Sequence, residues 1–389
     1  LRLVGSEMCI RDSLYLDHAA STPMRDVAFE AYKKTEVEAF ANSAGGHALS
    51  RKAKNILEDS RDNIAGHFGV APKEITFTSG GTEADNWIIK MPFINNKNNS
   101  AELVTSEIEH EAVLASAEWV ESLGYRVNLV PCNNRGVIET QDVLEAVNSN
   151  TEIVSIMLAN NETGIIQPVK EISQGLKALN FKPIFHSDVV QAVATTKLDF
   201  HNLGIQSAAI SGHKIGGPKG IGIMFLSSEV KLPSFLHGGK QELERRAGTV
   251  NVSGVASLSA ALDEQQKNMI SQNQKILNER QEFEEILKNS LDIIVLGDDI
   301  DRLEHISNIQ FKGINSETLM VSLDLQGLGV SRGSACASGA QKPSHVLKAM
   351  KISNDVINSH LRFSFGWNSK KGDGVHAAEI VMASIEGMK

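Results

Sequence analysis

Cysteine is scarce in this chain: Cys9, Cys132 and Cys336 are the three in 389 residues. They are too few and too scattered for a disulfide framework or a zinc site, which fits a reducing compartment. Aromatic residues make up 5% of the chain, Lys and Arg form no run, and the formal net charge is −9. Nucleic-acid binding as a main activity is therefore disfavoured, because a phosphate backbone demands clustered cations. No apolar run reaches bilayer-spanning length. What is present, 41% hydrophobic and 22% charged residues, suits a soluble cytoplasmic enzyme with a sizeable core and two domains of ordinary size. The first 13 residues, LRLVGSEMCIRDS, carry no helix or strand period and no signal-peptide apolar region, so they read as an extraneous leader.

From Leu14 the pattern is regular. LYLDHAASTP predicts a short strand and a turn; Val27–Phe40 and Leu49–Phe68 have helical spacing, the second ended by Gly69. Strands are predicted at Ile75–Thr78, from Glu102 through His110, from Arg126, from Glu152 through Asn160 and Asn161, and up to Asp188, with helices between them. Alternating strands and helices imply an α/β fold with a mainly parallel sheet and a site along its carboxyl edge. His110, Asn161, Asp188 and Lys214 all fall at such edges. Val255–Leu291 reads as one long helix. Beyond it, strands at His305–Phe311 and His360–Phe365 mix with helices in a smaller α+β unit.

Two stretches carry chemistry. Ser207–Leu226, SAAISGHKIGGPKGIGIMFL, reads as strand, Gly-rich turn, strand, with Lys214 where the first strand stops. A lysine so placed is partly desolvated, which lowers its pKa and lets its amine form a Schiff base. Asp188 lies 26 residues upstream, and Gln191 follows it by three. In TSGGTEADN, a Gly-Gly turn delivers free amides at a helix N-terminus, with Gly81 and the Thr82 hydroxyl positioned for an anion. A helix cap and a solvated hairpin lysine would explain either stretch alone; the spacing of Asp188, Gln191 and Lys214 weighs against that reading.

This arrangement, with the wording SGHKIGGPKGIG, resembles the cysteine desulfurases among fold-type-I pyridoxal-phosphate (PLP) enzymes. The resemblance runs from Leu14 to Met388. It implies a large domain over 27–258 with a seven-stranded, mainly parallel sheet, and a small domain made of 14–26 and 259–389. It implies that Lys214 holds PLP, that Asp188 faces the pyridine nitrogen, that Gln191 meets the ring oxygen, and that His110 stacks on the ring. Asn161 would contact ring or substrate. Gly81, Thr82, Ser211 and His213 would bind the phosphate, as would Thr249 from the neighbouring subunit of a homodimer. Arg362, in HLRFSFG, and Asn42 would meet the substrate carboxylate; at Asn42 the usual proline-containing wording is replaced by Asn-Ser-Ala-Gly-Gly-His.

GVSRGSACASGAQKPSHVL surrounds Cys336 with small residues, as a loop does, and resembles the long-loop desulfurase class with Arg332 in place of a serine. The implied reaction converts L-cysteine to L-alanine and leaves sulfur as a persulfide on Cys336 for a protein acceptor, such as an iron–sulfur scaffold or a sulfur carrier. An aminotransferase, a kynureninase-like lyase and a selenocysteine lyase remain open alternatives, the first two needing no Cys336. A non-catalytic docking subunit would not need Lys214, Asp188 and His110.

Overall fold

The computed structural model describes residues 13–94, 96–333 and 343–388. The leader up to Arg11 and Asp12 and the catalytic candidate Cys336 lie outside the described residues. The strands are β1 (Leu14–Tyr15), β2 (Ile75–Thr78), β3 (Glu102–Ser106), β4 (Arg126–Val130), β5 (Thr151–Ser155), β6 (Ile184–Asp188), β7 (Ser207–Ser211), β8 (Gly222–Leu226), β9 (Ile293–Val295), β10 (Ile306–Phe311), β11 (Leu328–Gly329) and β12 (His360–Ser364).

Seven of them form one sheet in the order β2-β8-β7-β6-β5-β3-β4. Pairs from β7 through β4 are parallel, while β8 is antiparallel to both of its neighbours. The central strands β6 to β8 are buried along nearly their whole length, as expected of strands covered on both faces. On one face Trp87, Ile88, Val113 and Ala117, from the helices Gly81–Lys90 and Glu111–Ser122, pack with Met224 of β8. The other face joins a larger core that includes Phe68, Phe185, Ile210 and Leu258. The α/β class and its mainly parallel sheet stand as the sequence predicts.

The helix Val252–Ser290 is capped by Asn251, whose side chain accepts from the Gly254 amide. Its first half contributes Val255, Leu258 and Leu262 to the larger core. Its second half puts Ile276, Phe283 and Leu287 into a second core with Phe311, Leu319, Phe363 and Val381. Leu16 joins that second core, and β1 pairs with β11. A three-stranded sheet, β12-β10-β9, backs it.

Two predicted strands end early. β3 stops at Ser106 and β5 at Ser155. Their apolar alternation continues because Ile108, Ile156 and Leu158 remain buried, but the following backbone keeps scattered hydrogen bonds, such as Leu158 N–H to the Asp188 carbonyl at 2.9 Å, and an isolated bridge between Ala159 and Ile166. His110 is consequently a helix N-cap, its Nδ1 accepting from the Ala112 amide at 3.1 Å. Asn161 sits in a turn beyond β5.

Candidate active site

A cavity of about 1040 Å³ opens where β6 and β7 end, and Gly81, Thr82, His110, Asn161, Asp188, Gln191, Ser211, His213, Lys214 and Arg362 all line it. Lys214 closes the one-turn segment Gly212–Lys214 directly after β7. Its amine donates to the backbone carbonyls of Ala19 and, at 2.8 Å, Ala20. Burial, helped by the Arg362 guanidinium, brings this amine down to about 8; Asp17 and Asp188 oppose the shift. An amine held by carbonyls rather than carboxylates, and partly neutral near physiological pH, is competent as a nucleophile and as a base.

Asp188 ends β6 and accepts from the Val190 amide at 2.8 Å. Its carboxyl is pushed up by burial, against the pull of His110, that amide and Lys214. Sequence reading missed two more buried acids beside it. Asp85 shares a cluster with His110 and Asp188 in which the ligand atoms all lie within 4.8 Å of one another. It bonds His186 Nε2 at 3.2 Å, and burial followed by the Asp188 and Glu109 charges pushes it up. Glu109 accepts from Ser106 Oγ at 2.6 Å and from the Met157 amide at 2.9 Å, while its Oε2 is buried with no hydrogen-bond partner among the described residues. For Asp85 the available signal was a polar residue among the apolar Ala84, Trp87 and Ile88 of its helix; Glu109, in the loop after β3, carried none.

Burial holds Glu109 up at about 8 against an ordinary 4.5. The unfolded chain therefore loses this proton from pH 4.5 upward while the fold keeps it, so the group costs stability increasingly between pH 4.5 and about 8. Glu109→Gln is expected to match the wild type near pH 4 and to exceed its Tm by a margin that widens up to about pH 8, read by thermal melts of the apoprotein across that range. A constant difference in Tm would contradict this.

The anion end is built on close backbone packing. A Cβ on Gly222 of β8 would come within 2.5 Å of Gly80 Cα, and one on Gly81 within 2.8 Å of Val190 Cγ2. Both glycines let the turn before Gly81–Lys90 approach the sheet, which aims that helix's first amides at the cavity beside Ser211. His213 bonds Ser21 Oγ at 3.2 Å and is brought down to about 4 by burial and by the Lys214 charge, so it is a neutral partner. Gln191 donates to the Ala19 carbonyl at 2.9 Å.

Arg362, on β12, donates to the Asn161 carbonyl at 2.8 Å and to Asp17 Oδ1 at 2.6 Å. Arg332 also lines the cavity and donates to Asn358 Oδ1 at 2.9 Å. Two candidates are elsewhere in the single chain. Thr249 is exposed, and Asn42 is exposed with its Oδ1 accepting from the Ala44 amide at 2.9 Å. Gly333 and Pro343, the described residues on either side of the Cys336 segment, both line the cavity.

The profile of the Aminotransferase class-V family matches residues 14–375, and the chain belongs to that family of PLP-dependent enzymes. Its relatives include proteins named cysteine desulfurase IscS. The one from Dictyoglomus turgidum is 34% identical, covering 98% of this chain and 96% of the relative. The one from Methanosarcina thermophila is 35% identical, covering 97% and 93%. A solved NifS-like protein superposes with a TM-score of 0.90 at 28% identity, over 96% of this chain and all of that one. The residues present fit the cofactor. Lys214 offers an amine held by two backbone carbonyls, Asp188 a buried acid suited to a protonated pyridine nitrogen, and the Gly81 helix start an anion site.

Proposed function

We infer that this PLP-dependent cysteine desulfurase uses Lys214 as its acid–base group, Arg362 as the receiver of the substrate carboxylate and Cys336 as the acceptor of sulfur. The observation that supports this reading is that Gly333 and Pro343, which bracket the Cys336 segment, line the same cavity as Lys214 and Arg362. Lys214 and Asp188 would hold the cofactor, with Gly81, Thr82, Ser211 and His213 at its phosphate. Once bound, the cofactor supplies an electron sink that acidifies the substrate Cα and prepares the C–S bond for cleavage.

The chain's own residues do the rest. Arg362 fixes the substrate by its carboxylate. Lys214, with its amine near 8, takes and returns the Cα proton. Cys336, as thiolate, forms an S–S bond to the substrate sulfur while the C–S bond breaks. The electron pair of that bond stays with the three-carbon skeleton, which takes a proton and leaves as L-alanine. His110 supplies or receives protons beside the ring. The persulfide then passes to a protein acceptor, an iron–sulfur scaffold or a sulfur carrier, in the cytoplasm. Thr249, exposed in one chain, reaches the phosphate of a second copy, which makes the working enzyme a homodimer; sedimentation of the holoenzyme at micromolar concentration reads that state.

Incubation of the holoenzyme with cysteine and a reductant is expected to release sulfide and alanine in equal amounts. With a 2-oxo acid added, 3-mercaptopyruvate and a new amino acid without sulfide would return an aminotransferase-like reaction to first place.

A further inference from the structure

Arg362 is 3% exposed and carries donors on three nitrogens. Nη1 is spent on the Asn161 carbonyl and Nη2 on Asp17 Oδ1, and Nε is buried with no hydrogen-bond partner among the described residues. A carboxylate that grips a guanidinium bidentately needs two adjacent N–H groups. The Nε–Nη2 edge is the one such edge not committed to backbone, and Asp17 stands on half of it. Asp17 lines the cavity together with Arg362 and Lys214. It is tied down through its main chain: its carbonyl accepts from the Tyr15 hydroxyl at 3.0 Å and the Ala20 amide at 3.0 Å, and it bridges to Ser364 of β12. The carboxylate is thus presented to Arg362 by a fixed backbone.

We propose that Asp17 selects for α-amino acids: it occupies the Arg362 edge that an incoming carboxylate needs, and yields it to a ligand whose own α-ammonium then faces the released Asp17 carboxylate. The inference rests on the reading of Arg362 as the carboxylate receiver. A ligand with a carboxylate alone would leave two anions around one guanidinium, an unfavourable juxtaposition. A zwitterion brings the compensating positive charge with it. Asp17 faces the charges of Arg362, at 2.6 Å, and of Lys214, which senses it through space and donates to the carbonyls of Ala19 and Ala20, two and three residues on. With Arg362 drawn to the ligand, Asp17, which acts on the Lys214 charge more strongly than Asp188 does, is left to face an ammonium entering beside Lys214.

Propionate and L-alanine form the matched probe pair, identical except for the amine. Both are titrated as inhibitors of sulfide release by the holoenzyme. In the wild type, alanine is expected to inhibit far better than propionate. In Asp17→Asn, the propionate constant should fall about tenfold and the alanine constant should not, collapsing the ratio between them. Asp17→Ser is the second variant, should the amide bind Arg362 in its own right. A merely structural role would weaken both ligands together and keep the ratio. A ratio within twofold of the wild type in both folded variants overturns the proposal. Arg362→Lys separates the layers: if it raises the KM for cysteine while the Asp17 variants keep the ratio, the selector role alone falls. If it leaves the KM unchanged, the carboxylate reading of Arg362 falls with it.

Discussion

Lys214→Ala should lose the covalently held cofactor and about three orders of magnitude or more of turnover, because in the proposed mechanism the group that holds the cofactor and the group that moves the Cα proton are one amine. Lys214→Arg is the informative companion: it keeps the positive charge and much of the length, yet cannot lose its proton at working pH, so it should be equally inactive. The pH dependence carries a second signature. Desolvation penalises the charged amine, so its neutral form becomes populated through about pH 8 rather than 10.5. Covalent capture of added PLP by the apoenzyme needs that neutral form, and its rate should climb with pH to a midpoint near 8. Borohydride treatment of the holoenzyme, followed by peptide mapping, should find the pyridoxyl group on Lys214. A midpoint near that of a free lysine, or a label on another lysine, would remove Lys214 from the centre of the site.

The parts of this site that could be read from the sequence are those whose chemistry and geometry are local. Ser207–Leu226 is a strand, a Gly-rich turn and a strand in the sequence, and it is β7, a tight turn at Lys214 and β8 in the fold. Asp188 closes an apolar run and closes β6. The Gly80–Gly81 turn opens a helix just where a helix start reads from the letters. What stayed hidden depends on contacts between distant segments. Asp85 finds His186 a hundred residues on, and Asp17 finds Arg362 across nearly the whole chain. Glu109 looks like one more polar residue before His110, and only the fold makes it a buried acid, one of whose oxygens has no hydrogen-bond partner among the described residues. Periodicity also overran the strands, since Ile108 and Leu158 stay buried where the ladders have already ended. Thr249 and Asn42 lie away from the cavity of the single chain, so no intrachain contact could have marked them.

Those same buried groups describe the electrostatic character of the site. Asp85, Glu109 and Asp188 are all pushed up by burial, and His186, His213 and His305 are brought down to between about 3 and about 4. Burial thus penalises the charged form of the acids and of the imidazoles alike around this site. Among the charged side chains that line the cavity, Lys214, Arg362 and Asp17 stand together, and they are the ones a zwitterionic substrate can answer.

Replacing Cys336 with alanine should separate binding from sulfur transfer. The substituted protein should bind PLP and cysteine as the wild type does, because Lys214, Asp188 and Arg362 are untouched. Persulfide and sulfide should fall by about a hundredfold or more, since the group proposed to accept the sulfur is gone. Cys132 cannot replace it. That thiol is 3% exposed, does not line the cavity, and is pushed up to about 11, chiefly by burial and then by the Glu107 charge. At neutral pH almost none of it is thiolate, the form that attacks sulfur. Cys132→Ala should therefore cost some stability, of order 1 kcal/mol for a small buried side chain, and leave sulfide release intact. The measurement mixes each variant with cysteine, follows the cofactor absorbance, and counts persulfide by mass spectrometry before reductant is added. If the Cys336→Ala protein makes persulfide at the wild-type rate, sulfur leaves by a route that does not pass through Cys336, and the proposed nucleophile is wrong even though the cofactor site stands.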